Sequence, residues 1–348
     1  MVTISFIGDI GLNDDYIDLQ QRNVHPFSAL KPYLSDTDLL AGNLECVAKG
    51  EKGENLLKRP RIGTTMETLE LLRDINLGIA SLATNHIYDH LEDGFQKTVG
   101  FLQNSNILYL GAGMREEEST QPLILEKNGL SFCILNYITA DTHPSLPPDS
   151  KIFINEFKLE NCLDDLQRNK SCNFRIILMH WGGNFEGGLF PDTDQVKLSR
   201  ILIDHGADLI VGHHSHTLQP FEKYKGKYIF YSLGNFCFSD IHFEGKIRKM
   251  SSLRERESVL VKARFIKDGY SVKLVAFRNE HLILRIRSFI LCKVSLRNLV
   301  FSLLKKRPFW HIYRIYFKKV RPLCLQVFRK DAERSLFSRI MNYKSKKT

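Results

Sequence analysis

Short apolar runs, each closing on a cluster of polar residues, recur along most of the chain and alternate with segments of helical spacing. Residues 2–7 run into Gly8-Asp9-Ile10-Gly11, and residues 38–41 into Gly42-Asn43-Leu44-Glu45. Residues 78–82 deliver Ala83-Thr84-Asn85-His86-Ile87-Tyr88-Asp89, and residues 174–179 deliver His180-Trp181-Gly182. The run 207–211 ends in Gly212-His213-His214-Ser215-His216, and 227–232 in Leu233-Gly234-Asn235-Phe236. Apolar runs of this length bounded by turn formers predict buried strands. Between them, helical periodicity covers residues 66–76, 92–104, 156–168 and 193–205. Asn128-Gly129 predicts a type I′ hairpin between 123–127 and 130–136. Residues 258–266 and 270–277 form a second predicted hairpin through Lys267-Asp268-Gly269. Residues 49–60, charged and glycine-bearing, predict an exposed loop near the strand ends. The alternation predicts an α/β body, whose sites lie at the C-terminal ends of its strands.

Length and composition narrow this modestly. The chain has 348 residues, 43% of them hydrophobic, enough for one large or two ordinary domains. Seven cysteines are scattered without a CxxC pair, which speaks against a disulfide framework and a thiolate zinc site. No GxxxxGK[ST] occurs, and the Gly-x-Gly at 111–113 is too short for a dinucleotide fingerprint. There is no signal-like start and no apolar run of the ~18–20 residues that would span a bilayer. Charge changes the picture more. Residues 281–348 hold eighteen Lys/Arg against Asp331 and Glu333, a net +16, so residues 1–280 carry −6 of the overall +10. This predicts a mildly acidic body, 1–280, and a basic, mainly helical tail, 281–348. Basic residues there interleave with large apolar ones, as in Phe309-Trp310-His311-Ile312-Tyr313-Arg314-Ile315-Tyr316-Phe317-Lys318-Lys319. Such segments lie in anionic membrane interfaces; a helical pair packed on the body is the alternative. The expected place is cytoplasmic, peripheral on the inner membrane face. No motif supports nucleic acid as a partner.

The candidate chemistry is a metal centre. Asp9, Glu45, Asn85, His180, His214 and His216 all fall at predicted strand ends. Carboxylate, amide and imidazole together suit Mn, Fe or Zn better than Ca or Mg. His214 and His216 stand two apart and would share a face in an extended segment. Two metals ~3.5–4 Å apart need a bridging carboxylate and about three ligands each, which this set supplies.

Gly8-Asp9, Asn43-x-Glu45, Asn85-His86-x-x-Asp89, His180-Trp181-Gly182, Gly212-x-His214-x-His216 and Ser232-Leu233-Gly234-Asn235-Phe236 stand in that order. In this the chain resembles the bacterial CapA-like family of poly-γ-glutamate capsule biosynthesis, related to the calcineurin-like metallophosphoesterases, over residues 2–245. The resemblance implies a four-layer α/β/β/α sandwich. It also implies Asp9 and His216 on one metal, Asn85, His180 and His214 on the other, and Glu45 between them. His86, oriented by Asp89, would be general acid or phosphate stabiliser, beside a metal-activated water. Two departures stand out: Gly11 replaces the first-motif histidine, and Asn43-x-Glu45 replaces an Asp-containing motif. Asn43 is then a candidate replacement ligand. The implied function is metal-dependent hydrolysis of a phosphoester or related bond in capsule or exopolymer synthesis. The alternative is a non-catalytic, metal- or polymer-binding subunit of a membrane-associated assembly complex. Expected partners are an anionic polymer or envelope precursor, and capsule-assembly proteins.

Overall fold

Ten buried residues, Val2–Gly11, form the first strand and the middle of the larger sheet. Val2, Ile4 and Phe6 enter one apolar core, while Ile7 and Ile10 enter another. A strand buried on both faces reads as a near-continuous apolar run, and this is why it is visible in the sequence. The computed structural model describes residues 1–22, 24–142, 145–248, 252–304, 308–316 and 320.

The principal strands of the first half are β1 (Val2–Gly11), β2 (Leu39–Leu44), β3 (Leu77–Ser81), β4 (Leu108–Leu110), β5 (Leu123–Lys127) and β6 (Leu130–Ile138). They are followed by β7 (Phe174–His180), β8 (Leu209–His213), β9 (Phe221–Tyr224), β10 (Lys227–Phe230) and β11 (Asn235–Phe238). The last three are β12 (Glu257–Ile266), β13 (Gly269–Glu280) and β14 (Ile283–Ile286). The principal helices are α1 (Asp15–Gln21), α2 (Met66–Leu69), α3 (Leu71–Asp74), α4 (Leu91–Asn104), α5 (Leu159–Arg168), α6 (Thr193–Asp204), α7 (Phe289–Leu304) and α8 (Pro308–Ile315). One sheet has the order β14-β13-β12-β1-β2-β3-β4, with β11 added beside β1. The other is β9-β10-β8-β7-β6-β5.

The two sheets face each other across a core that takes Phe6, Ile79, Phe132, Ile176, Val211 and Phe265. On the outer face of the first sheet, Ile10 and Leu44 pack with Leu69 and Leu72 of α2 and α3 and with Phe95 and Phe101 of α4. On the outer side of the second sheet, Tyr137 donates to Asp165 of α5 at 2.5 Å, and Ser199 of α6 lies 3.4 Å from the Tyr231 hydroxyl. The layers are therefore α/β/β/α, as the resemblance implies. The parallel strands β1, β2, β3, β7 and β8 all end at one edge of the sandwich, and the polar clusters follow them.

Several boundaries differ from the sequence reading. The predicted helix over 66–76 is two short helices flanking Glu70. The predicted strand 38–41 runs on to Leu44, because pairing with β1 and β3 on both sides carries Asn43 into the ladder. Ile283–Ile286, expected within the helical tail, is a strand that extends the sheet against β13. The Asn128-Gly129 turn forms as expected, both residues having positive φ.

Contacts divide the chain into Met1–Asn298 and Leu299–Thr348. In the first unit, Ile290 and Val294 of α7 join the inter-sheet core. There Lys293 reaches Glu257 at 2.7 Å, and Asn298 accepts from the Phe221 amide at 2.9 Å. In the second unit the rings of Phe301 and Trp310 pack at 5.5 Å. Among the described residues no helix is long and apolar enough to cross a membrane. The tail expectation for residues 321–348 lies outside the described residues.

Candidate metal centre

The ends of β1, β2, β7 and β8 and the turn after β3 bring together every residue singled out as a ligand. Asp9, at the end of β1, is fully buried and accepts from Asn43 Nδ2 at 2.8 Å and from the His214 amide at 3.3 Å. Asn43 Nδ2 also lies 3.3 Å from His180 Nδ1 of the other sheet, so it contacts two candidate ligands, one from each sheet. Ser81 holds the amide from its other side, donating to Asn43 Oδ1 at 3.2 Å. The Asn43 amide is thus hydrogen-bonded through both its nitrogen and its oxygen.

His180 Nε2 lies 3.0 Å from Asn85 Oδ1 and 3.1 Å from His214 Nδ1. His216 Nδ1 lies 2.9 Å from Asn235 Oδ1 and 3.6 Å from Asp9 Oδ2, and its Nε2 is 3.6 Å from Glu45 Oε1. Ligand atoms of Glu45, His214 and His216 fall within 4.8 Å of one another, as do those of Asp9, Glu45 and His180. Glu45 is common to both groups. The contacts just given also join His214 to His180 and His216 to Asp9, the pairs that the resemblance sets on separate metals.

The local backbone is unusual. His214 and His216 both have positive φ, 85° and 57°. They are not extended, and the shared-face argument therefore gives way to a tight turn that points each ring inward separately. Positive φ in a non-glycine residue costs of order 1–3 kcal/mol and persists where surrounding contacts over-determine it. Here Asp9 takes the His214 amide, and the Thr217 hydroxyl donates to the Gly188 carbonyl at 2.6 Å. His213 is turned away, with Nε2 3.3 Å from the Ile7 carbonyl oxygen.

Do these residues suit a cation? Both carboxylate oxygens of Glu45 are buried without a hydrogen bond among the described residues. A buried carboxylate left in that condition is costly, and a divalent cation would satisfy both oxygens. Burial pushes the Glu45 carboxyl up to about 8, with Asp9 adding to the rise against the pull of His216. Burial also lowers His214 to about 3 and His180 well below the ordinary imidazole range, their ring neighbours adding to the effect. Neutral imidazoles are what metal coordination requires. The donor set fits a borderline divalent metal.

Gly11 explains the missing first-motif ligand. In the β1–β11 register it stands opposite Phe238, and a Cβ there would come within 2.5 Å of the Phe238 ring. That ring packs against His216 at 5.0 Å between centroids. An aromatic side chain thus occupies the space beside Gly11. Gly8 is equally constrained, since a Cβ would approach the Gly234 carbonyl oxygen to 1.8 Å.

Beside the ligands stands a second pair. His86 Nδ1 donates to Asp89 Oδ2 at 2.5 Å, and the same oxygen accepts from the Ile62 amide at 2.8 Å. Burial, with the positive charge of Lys58 nearby, lowers His86 to about 4 despite Asp89. Lys58 is a site residue that sequence reasoning misses. The expectation for 49–60 is an exposed loop, but Asn55 is buried and the Lys58 side chain is only 10% exposed, its ammonium 3.6 Å from Asp89 Oδ1. A lone lysine in a charged loop carries no signal of this. Asn235 is a second residue beyond the expected set; its place after a strand and a glycine is the available clue.

Comparisons with known proteins match most of the chain. The profile of the family described as "Bacterial capsule synthesis protein PGA_cap" matches residues 3–240. The chain is 29% identical over 282 residues to the "PGA biosynthesis protein CapA" of Bacillus subtilis (strain 168), covering 77% of this chain and 69% of that protein. It is 27% identical over 247 residues to the "Capsule biosynthesis protein CapA" of Bacillus anthracis, covering 68% of this chain and 60% of that one. Among solved structures, a hypothetical protein from Thermus thermophilus aligns over 80% of this chain and 99% of its own, at 14% identity and a TM-score of 0.48. With a profile match over most of its length and the motif residues gathered at one edge of the sandwich, the chain belongs to the bacterial capsule synthesis protein PGA_cap family.

Proposed function

We propose that this protein is a metal-dependent hydrolase of a phosphoester or related bond, acting in the synthesis of an anionic capsule or exopolymer. The observation that carries the reading is Glu45. Its two buried oxygens lack hydrogen bonds among the described residues and are ringed by Asp9, His180, His214 and His216. Those five residues, with Asn85, would hold the metal, and Asn43 would orient Asp9 and His180. A bound divalent metal supplies Lewis-acid activation of water and substrate.

The chain's own contribution is proton movement and placement. Hydrolysis adds the oxygen of water to phosphorus, breaks the bond to the leaving oxygen and leaves a proton to be transferred. His86 Nδ1–H is fixed on Asp89, so the neutral ring would take the water proton at Nε2, while the leaving oxygen departs as its anion or is protonated from solvent. The test is Mn²⁺-dependent turnover of bis(p-nitrophenyl) phosphate by wild type and His86→Ala. Turnover that falls at least ~100-fold in the variant, with metal content retained, is expected. Equal rates in the two would refute the role of His86.

A second reading rests on Gly11 and Phe238. If the ligand set is one short, the centre would bind metal or polymer without turning over, as an accessory subunit of an assembly complex. Metal binding by wild type without turnover would select it. For either reading we propose peripheral attachment to an anionic membrane through residues 281–348. Cys292 and Leu296 are exposed four residues apart in the first unit, and Leu299 and Leu303 four apart in the second, in a segment rich in Lys and Arg.

A further inference from the structure

Within one loop of mostly solvent-facing residues, Lys58 sends a charge inward. Its neighbours Leu56 and Leu57 are exposed, whereas its ammonium contacts the Asn85 carbonyl oxygen and faces Asp89. Glu45, His86 and His214 also lie within reach of its field. Asp89 is already held through Oδ2 by His86 and the Ile62 amide, and its Oδ1 stands 3.6 Å from the ammonium, farther than a hydrogen bond. Burying an ammonium is costly, and a cation cannot ligate a metal. What it can offer here is a donor to an anion. An ammonium has three N–H donors; among the described residues the Asn85 carbonyl accepts one, and Asp89 faces the ammonium as an ion pair.

We propose that Lys58 is a substrate-binding residue whose ammonium receives an oxyanion beside His86, either a phosphoester oxygen or a carboxylate of an acidic polymer. This rests on the site assigned above but not on turnover. It makes the substrate anionic beside His86.

The test uses the full chain loaded with Mn²⁺ and measures binding of inorganic phosphate and of a γ-linked glutamate oligomer by calorimetry. Wild type, Lys58→Met and Lys58→Arg are compared, and metal content is measured for each. Loss of one charge-assisted contact predicts at least ~tenfold weaker binding in Lys58→Met, and a change within ~threefold in Lys58→Arg. Metal content should stay constant, since Lys58 is not a ligand. The probe whose binding depends on Lys58 identifies the anion as phosphate or carboxylate. Should Lys58→Met fail to fold, wild type still decides the matter. Saturating phosphate or oligomer should slow acetylation of Lys58, followed by mass spectrometry, at least ~fivefold if bound anion covers the amine. Undiminished binding in Lys58→Met, no binding of either probe to wild type, or unslowed acetylation overturns the proposal. Lys58-dependent binding without any turnover would keep it and remove hydrolysis. Turnover with unslowed acetylation would do the reverse.

Discussion

At the scale of single residues, Glu45 makes a claim that can be checked before any substrate is known. Burial holds its carboxyl up to about 8, above the ordinary value of 4.5, so in the metal-free protein near pH 7 it carries a proton. A cation can use the carboxylate only after that proton leaves, so metal binding and proton release are linked. Affinity for Mn²⁺ should therefore rise as pH climbs from about 6 toward 8, and level off above it. Calorimetry in two buffers of different ionisation heat should report net proton release at pH 7, from Glu45 and from His216, whose ring burial lowers but Glu45 and Asp9 together raise. Glu45→Gln keeps the shape and removes its titration, so it should reduce that release and lower bound metal at least ~tenfold. A pH-independent affinity in wild type would mean that the carboxyl is already ionised and otherwise satisfied.

Elements explain why the centre departs from the motif pattern. β11 lies parallel to the end of β1 and sets Phe238 opposite Gly11, so the ring fills the volume that a side chain at position 11 would take. Gly11→His alone should overpack this contact and lose ~1–3 kcal/mol of stability by denaturant unfolding. The pair Gly11→His with Phe238→Ala should recover most of that loss. Its metal content should also exceed that of Phe238→Ala alone, because the imidazole then has room beside Asp9. A double variant as unstable as Gly11→His would show that Phe238 is not the obstacle. Elsewhere, β12, β13 and α7 meet at Glu257, buried against Arg278 and Lys293 at 2.7 Å each. Burial pushes this carboxyl up, but hydrogen bonds from Lys293 and Arg278 bring it below 4.5. A folded value below the unfolded one stabilises above about pH 4.5 and fades as pH falls through the folded value. Glu257→Gln should cost ~2 kcal/mol at pH 7 and much less near pH 3. What can be read from the sequence follows the same logic. Strand ends are legible because a doubly buried strand must be apolar and must stop at a polar residue, which marks Asp9, Asn85, His180 and the His213–His216 run. The inward turn of Lys58 and the positive φ of His214 and His216 are not legible. Both are imposed by partners distant in sequence, Asp89 for one and Asp9 for the other.

For the whole chain the governing fact is charge. Residues 281–348 carry +16 and residues 1–280 carry −6, an asymmetry that the fold does not require. Within Met1–Asn298, the inner face of α7 is spent on packing, with Ile290 and Val294 in the core and Arg297 donating to the Leu218 carbonyl at 2.6 Å. Its outer face keeps Cys292 and Leu296 exposed, Leu296 at 61%; in the second unit, Leu299 and Leu303 are exposed as well. Packing thus accounts for one side of the helix and leaves the other to be explained. Anionic lipid suits it on two counts, since leucines enter the acyl boundary while Lys and Arg meet phosphates, each basic group contributing ~1 kcal/mol near the surface. The full chain should sediment with phosphatidylglycerol vesicles and far less with phosphatidylcholine. Raising salt from about 0.1 to about 0.5 M should release it, because the Debye length falls. Leu296→Glu with Leu299→Glu should weaken vesicle binding more than ~tenfold, and leave the thermal midpoint within a few degrees since neither residue is buried. If that variant bound vesicles as wild type does, α7 would not be the contact. Binding to both lipids alike, indifferent to salt, would remove the electrostatic part of the argument.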